Sequence, residues 1–438
     1  MTALYCRLAA VPAIIAWVVS ACAQPPAPAP LPEVITVEQA VAYALQYNPS
    51  VTNAAQNVSI AEAQVDAARA NRLPDVNVSI NSTFNPSPPK VPFGDVTIEL
   101  QPKFSTTLGI TASQPVWPQS RWRAPIAGAN AILGVNEELL QRTRQQVVYQ
   151  TRQIFYQVLS AQQLREVAQD SVQAAQTQLR LAESTVAAGF AAPLDIYQAR
   201  ATLADAQVTL ARATNDVDLA RAALVTELGL PAGTPVQLTT PEGLPTSPEN
   251  LEELTQAALR QRPELTQVQY RREQVRAQLA QIRLEQQPIV NVQANYSQDL
   301  TSGSVLSANG ITFGAVVGLN IYNGGQTKAE LEAARIQLEQ LDTTARQLEL
   351  GITLEVRQAY LGLQNALEQL IAAEEGLKAA EEALRIAQIR YENGEGIILE
   401  VDQARVQRTQ AQTALTTARY QAQVSAAQLT FALGEPAP

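Results

Sequence analysis

Histidine is absent from the chain. That removes the commonest general base and the commonest imidazole metal ligand. Cysteine occurs only as Cys6 and Cys22, both at the extreme N-terminus, so neither a disulfide framework nor a cysteine metal site is available to the body of the protein. Aromatic residues make up only 5% of 438 residues. Such a composition, rich instead in Ala and Gln, suits long packed helices better than a compact aromatic core. The net charge of −10 disfavours a nucleic-acid partner. The chain offers no nucleophile–base pair, no phosphate loop and no metal-ligand cluster, so no enzymatic activity and no cofactor are expected.

What the chain does have is a heptad seam. Leu363, Leu370, Leu377 and Leu384 recur every seventh residue, and Ala366, Ala373, Ala380 and Ala387 follow three places later each time. Large residues on one side and alanine on the other make an a/d stripe that lets neighbouring helices approach closely. Asn393-Gly394-Glu395-Gly396 then breaks the helix. The seam resumes through Ala404, Ala411 and Ala418, with Leu415, Ala422 and Leu429, and describes a long helical hairpin with a glycine tip.

The same hairpin occurs earlier. Subtracting 205 maps the first alanines to Ala161, Ala168, Ala175 and Ala182, and the tip Gly394 to Gly189. The returning helix maps to Ala199, Ala206 and Ala213, with Leu210, Val217 and Leu224. Leu433-Gly434-Glu435-Pro436 likewise matches Leu228-Gly229-Leu230-Pro231, and one a position departs, where Leu370 becomes Arg165. Agreement at so many sites with one offset indicates an internal duplication.

Residues 1–23 read as an export signal, with Arg7 before an apolar stretch too short to span a bilayer. Two cleavage readings compete. Val19-Ser20-Ala21-Cys22 resembles a lipobox, which makes Cys22 a candidate for lipidation, whereas Ala21-Cys22-Ala23 fits ordinary signal peptidase. A proline-rich tether, 24–35, follows. Repeat 1 occupies 36–230 and repeat 2 occupies 250–438, with a Pro/Thr/Gly linker or small belt at 231–249. Each repeat opens with a split helix, broken at Asn48-Pro49 and at Arg262-Pro263 (263 − 49 = 214), with Thr36 as the first N-cap.

The hydrophobic period then changes from helical to two. A strand hairpin is expected at about 75–116 and another at about 289–322. The clearest strand is 311–322, where Ile311, Phe313, Ala315, Val317, Leu319 and Ile321 share one face. Its partner in repeat 1 runs less regularly from about 96 to 116, and the first hairpin is nine residues longer (214 − 205 = 9). A strand of this length with one apolar face fits a transmembrane β-strand, although a half-buried strand of a soluble sheet alternates equally well. Four strands cannot close a barrel, which needs about eight, and lipid forbids open edges. Strands in a membrane therefore imply a barrel shared among chains. The long helices are expected at about 125–187, 193–228, 327–392 and 397–433. Helices of sixty-odd residues reach some 90–100 Å at about 1.5 Å per residue. Their Gln-rich faces suit either a water-filled duct or plain solvent.

This order of elements, duplicated, resembles the TolC-like outer membrane efflux protein family from about residue 34 onward. Leu319-Asn320-Ile321-Tyr322-Asn323-Gly324-Gly325 looks like the family's strand-to-helix turn, from which Val116-Trp117-Pro118-Gln119-Ser120 departs. Arg390-Tyr391-Glu392-Asn393-Gly394 looks like its second tip. The resemblance implies a mainly α fold with a small transmembrane β part. In that fold four strands per chain contribute to a shared twelve-stranded barrel of a homotrimer in outer-membrane lipid. It implies coiled-coil hairpins forming a periplasmic tube. It also implies partners: a periplasmic adaptor protein and an inner-membrane efflux pump or ABC transporter. The implied function is that of a passive exit duct of a tripartite efflux or type I secretion system.

The same resemblance marks tip residues. Tyr391 and Asp195 match a tyrosine and an aspartate that help close the periplasmic end, while Gly396 replaces the family's arginine. Glu400 matches the first acidic ring position, and Gln403 occupies the second with Asp402 beside it. Asp195 and Glu400 also lie in first helical turns, where carboxylates favour the helix dipole in any case. A periplasmic coiled-coil adaptor is the competing reading; it would carry one hairpin flanked by many soluble strands.

Overall fold

The protein is described here by a computed structural model covering residues 34–436 apart from 94–95, 100–101, 190–191, 241–242, 247, 249, 302–308, 393–394 and 396. The expected signal segment, Cys22, Gly394 and Gly396 lie outside the described residues.

Strand β1 (Val34–Ile35) leads into α1 (Val37–Tyr47) and α2 (Pro49–Ala70), which are followed by β2 (Asp75–Phe84), β3 (Lys90–Phe93), β4 (Val96–Glu99) and β5 (Phe104–Trp117). Helices α3 (Ser120–Ala187) and α4 (Pro193–Glu227) complete the first half. The second half runs through β6 (Gln237–Leu238), α5 (Leu251–Gln261), α6 (Pro263–Leu284), β7 (Ile289–Asp299), β8 (Gly310–Gly318), α7 (Gln326–Glu392) and α8 (Ile398–Leu433). Local chemistry sets the breaks. Thr36 and Gln39 form a reciprocal capping box on α1, and Pro49, Pro193 and Pro263 each start a helix where an N–H has no helical partner.

The two halves end alike. Asn48 Nδ2 donates to the Glu227 carbonyl at 2.8 Å, closing the last turn of α4. Arg262 Nε donates to the Ala432 carbonyl at 2.9 Å, closing α8. These positions correspond by the duplication, since 48 + 214 = 262 and 227 + 205 = 432. Gly229 (φ 71°) and Gly434 (φ 75°) then take the left-handed conformation. The amide that follows each reaches back five residues, from Leu230 to the Val225 carbonyl and from Glu435 to the Thr430 carbonyl, as in a Schellman cap.

The main sheet is antiparallel, in the order β2-β5-β7-β8, so the two hairpins meet at β5 and β7 and leave β2 and β8 as edges. Residues paired across strands share a face. Val76, Val78 and Ile80 pair with Ala112, Ile110 and Leu108. Ala112 and Ile110 continue to Ala294 and Tyr296, and these to Phe313 and Ile311. These rows are apolar across all four strands, with Gln114 at one end of the same face and Ser82, Thr106 and Gln298 toward the other. The opposite face runs Asn77, Thr111, Asn295, Thr312 and Ser79, Gly109, Ser297, Gly310, and is polar or small. The strands are 10, 14, 11 and 9 residues long, close to the roughly 9–11 residues that cross a bilayer.

Three features differ from the sequence expectation. Strand β8 stops at Gly318 rather than continuing to Tyr322, because its partner β7 begins at Ile289, which pairs with Gly318; Pro288, which ends the preceding turn, has no N–H to extend the ladder. The extra length of the first hairpin forms its own small hairpin, β3–β4. Helix α3 starts at Ser120, ahead of Pro125, which lies inside it; the proline removes only the bond to the Arg121 carbonyl in the second turn. A short parallel pair, β1–β6, also ties the start of the described chain to the linker.

Helix α3 lies between α4 and α8, and α7 lies beyond α8, so the hairpin half is a row α4–α3–α8–α7. Nearer the sheet the row is α2–α3–α6–α7. The heptad seam is buried as its spacing predicts. Ala366 and Leu370 pack with Ala418 and Ala422, while Ile352, Val356, Ala359 and Leu363 pack with Leu429, Ala432 and Leu433. The outer faces of the end helices stay exposed: Tyr197 and Leu219 on α4, and Leu350, Leu354, Leu361 and Ile371 on α7.

Candidate functional site: the helical tips

At the first tip α3 ends at Ala187 with Ala188 as its C-cap, and Gly189 (φ 79°) makes the left-handed turn that an L side chain resists. Pro193 opens α4, and Asp195 sits half-buried in its first turn. Its backbone amide donates to the Ala192 carbonyl at 3.0 Å. At the second tip Tyr391 lies in the last turn of α7, and its side chain is outside the described part of the structure.

The anticipated acidic residues fall into two settings. Asp195 and Asp402 line one small cavity of about 20 Å³, together with Gln178, Ala182, Ala199 and Ile398. Arg405 Nη1 lies 3.5 Å from Asp402 Oδ1, one turn along α8. Its Nη2 donates to Gln178 Oε1 at 3.2 Å, which ties the returning helix of the second hairpin to the outgoing helix of the first. Burial pushes the Asp402 carboxyl above the ordinary aspartate range, and Arg405 offsets part of that rise. Glu400 does not line this cavity. Its Oε2 lies 3.2 Å from Arg390 Nη1, in an ion pair with both side chains about half exposed. Arg390 also donates through Nη2 to the Glu395 carbonyl at 3.3 Å, and the Glu395 amide returns a 2.8 Å bond to the Arg390 carbonyl. Arg390 therefore braces the second tip from the end of α7.

Sequence reading named Arg390 only within the second-tip motif, without a role, and did not single out Arg405 or Gln178. Arg405 was findable, because Asp402 and Arg405 stand three apart on a helix and so share a face. Arg390 and Gln178 carry no such signal. One reaches across a glycine turn and the other acts between two hairpins. The seam beneath the tip is Ala387 against Val401 and Ala404. Small residues there bring α7 and α8 close enough for the Arg390–Glu400 contact. Among the described residues no helix is long and apolar enough to cross a membrane, and no cluster of acidic or cysteine ligands is placed to hold a metal ion.

Comparison with known proteins agrees with this architecture. Residues 40–230 and 254–435 match the family described as Outer membrane efflux protein, one segment per repeat. The outer membrane efflux protein BepC of Brucella suis biovar 1 is 24% identical over 412 residues, covering 91% of this chain and 85% of that protein. Among solved structures, CusC superposes with a TM-score of 0.78 at 21% identity, covering 91% of this chain and 92% of that one. The open state of the Neisseria gonorrhoeae MtrE outer membrane channel gives 0.75 at 19% identity, covering 92% and 89%. The duplicated hairpins, the two-faced sheet and a match to the greater part of both repeats place this chain in the outer membrane efflux protein family.

Proposed function

We propose that three copies of this chain assemble into one continuous duct, the passive exit of an efflux or secretion system whose energy comes from an inner-membrane pump. Three four-stranded sheets supply twelve strands to a barrel in the outer membrane. The helical rows join into a periplasmic tube that ends at the tips, where a periplasmic adaptor docks. The observation that carries this reading is the pair of open sheet edges. Strands β2 and β8 present unpaired backbone groups on a sheet with an apolar band across all four strands, and in lipid such edges must be satisfied by other strands. The exposed apolar residues of α4 and α7 stand at the two ends of the helical row, where a neighbouring copy would cover them.

At the tip, Asp195, Asp402 and Glu400 act as the narrowing, and Arg390 and Arg405 hold it shut. Glu400 is ion-paired with Arg390 in this arrangement, so a ring of three such pairs attracts cations less than three unpaired carboxylates would. Single-channel conductance in planar bilayers tests the assignment. Wild type is expected to give a small conductance with modest cation preference. Arg390→Ala should enlarge both, because it unpins the tip and leaves Glu400 unpaired, whereas Glu400→Ala should reverse the preference toward anions. Selectivity unchanged in both variants contradicts the role given to this pair, and leaves the fold untouched.

A further inference from the structure

Both tryptophans of the described chain, Trp117 and Trp122, fall at the boundary between sheet and helices, the third being Trp17 near the N-terminus. Trp117 is the last residue of β5 and pairs with Val290 on the apolar face. Trp122 lies half-buried in the first turn of α3. Three arginines lie at the same boundary. Arg72 lies between α2 and β2, and Arg121 and Arg123 flank Trp122. Arg72, Trp122 and Arg123 line one groove of about 480 Å³, completed by Gln119, Ile126, Ala127 and Asn130, without a carboxylate among its walls. Arg121 lines the adjoining cavity on the other side of Trp122. All three arginines are exposed, and among the described residues none of their guanidinium groups has an ion-pair or hydrogen-bond partner.

The duplication does not account for this collar. The matching positions of repeat 2 are Gln286 (72 + 214), Gln326 (121 + 205) and Lys328 (123 + 205), with Thr327 in place of Trp122. Thr327 is buried there and donates to Glu285 Oε2 at 3.0 Å, so the position of Trp122 is taken by a small side chain bonded to a carboxylate. Repeat 1 instead leaves an open groove with two free guanidinium groups and an aromatic floor.

We infer that the Arg72–Trp122–Arg123 groove binds the phosphate-bearing headgroup of an anionic glycerophospholipid in the periplasmic leaflet of the outer membrane. The helices are periplasmic, so this end of the sheet is at the depth of that leaflet's headgroups. Tryptophan favours the boundary between hydrocarbon and water. Arginine forks match phosphate oxygens two at a time, and each basic residue near an anionic surface contributes on the order of 1 kcal/mol, a factor of about five in affinity. Arg121 adds charge beside the groove, and Ile126 and Ala127 give the glycerol and first acyl carbons an apolar wall.

The test reads Trp122 alone, in full-length protein with Trp17 and Trp117 replaced by Phe and reconstituted into vesicles. Fluorescence quenching is compared between brominated phosphatidylglycerol and brominated phosphatidylcholine at equal mole fraction. The groove predicts stronger quenching by the anionic lipid, an excess that falls on the order of fivefold in Arg72→Gln and again in Arg123→Gln and survives in Arg72→Lys. Inorganic phosphate in the buffer should leave the excess intact. Equal quenching by both lipids overturns the inference, as does an excess indifferent to the arginines. Full displacement by inorganic phosphate overturns it in favour of a free-anion site. Absence of quenching by either lipid overturns it through its premise, by showing that this boundary is not at the bilayer surface.

Discussion

One side chain holds together more of this fold than its sequence position suggests. Arg262 is buried, with 1% exposure, yet it satisfies its charge through Glu264 at 2.9 Å and Glu355, and it closes α8 through the Ala432 carbonyl. Arg142 pairs with the same Glu264 at 2.9 Å and lies 4.0 Å over the ring of Phe431. Removing one partner from such a network leaves the remaining charges uncompensated, which costs about 3–5 kcal/mol. Arg262→Ala is therefore expected to lower thermal stability by that order, followed by circular dichroism in detergent. Glu355→Gln keeps an acceptor for Arg262 at a position that still reaches water, and should cost clearly less than Arg262→Ala. Equal losses in the two variants would show that the network is not centred on Arg262. In repeat 1 the same capping duty falls to the neutral Asn48. Nothing in the amino-acid pattern marks Asn48 and Arg262 as equivalent except their place before Pro49 and Pro263.

Helices and strands were the readable level. The sevenfold recurrence from Leu363 onward placed the seam, because burial of a helical stripe requires that spacing, and Leu363, Ala366 and Leu370 are indeed buried. The strand faces were readable for the same reason at period two. What stayed hidden was whatever depends on a partner distant in sequence. The end of β8 is decided by where β7 begins, and the Arg405–Gln178 bond links residues 227 apart. Glycines separate these two kinds of information. Gly189 and Gly229 both hold positive φ, of 79° and 71°, so alanine costs about 1–2 kcal/mol at either from backbone conformation. A Cβ at Gly189 meets nothing within 4 Å, whereas at Gly229 it stands 2.5 Å from the Tyr47 carbonyl oxygen. Gly229→Ala should then destabilise clearly more than Gly189→Ala in the same thermal assay. Equal effects would mean that the contact between α1 and the end of α4 can shift freely.

At the scale of the whole molecule the single chain is unfinished in two places at once. Its sheet has free edges at β2 and β8, and its helical row ends in apolar faces on α4 and α7. Copies arranged around an axis would satisfy both with one operation, since a cyclic assembly joins the first edge of each copy to the last edge of the next. The apolar sheet face would turn to lipid and the Asn, Ser and Thr face to water, the alternation expected of a membrane barrel. The most direct measurement is the number of chains in one detergent-solubilised particle, counted by native mass spectrometry. Three chains, held together until heating and soluble only in detergent, is the expected result. A single chain that stays dispersed in water without detergent would contradict the shared barrel and the duct built upon it.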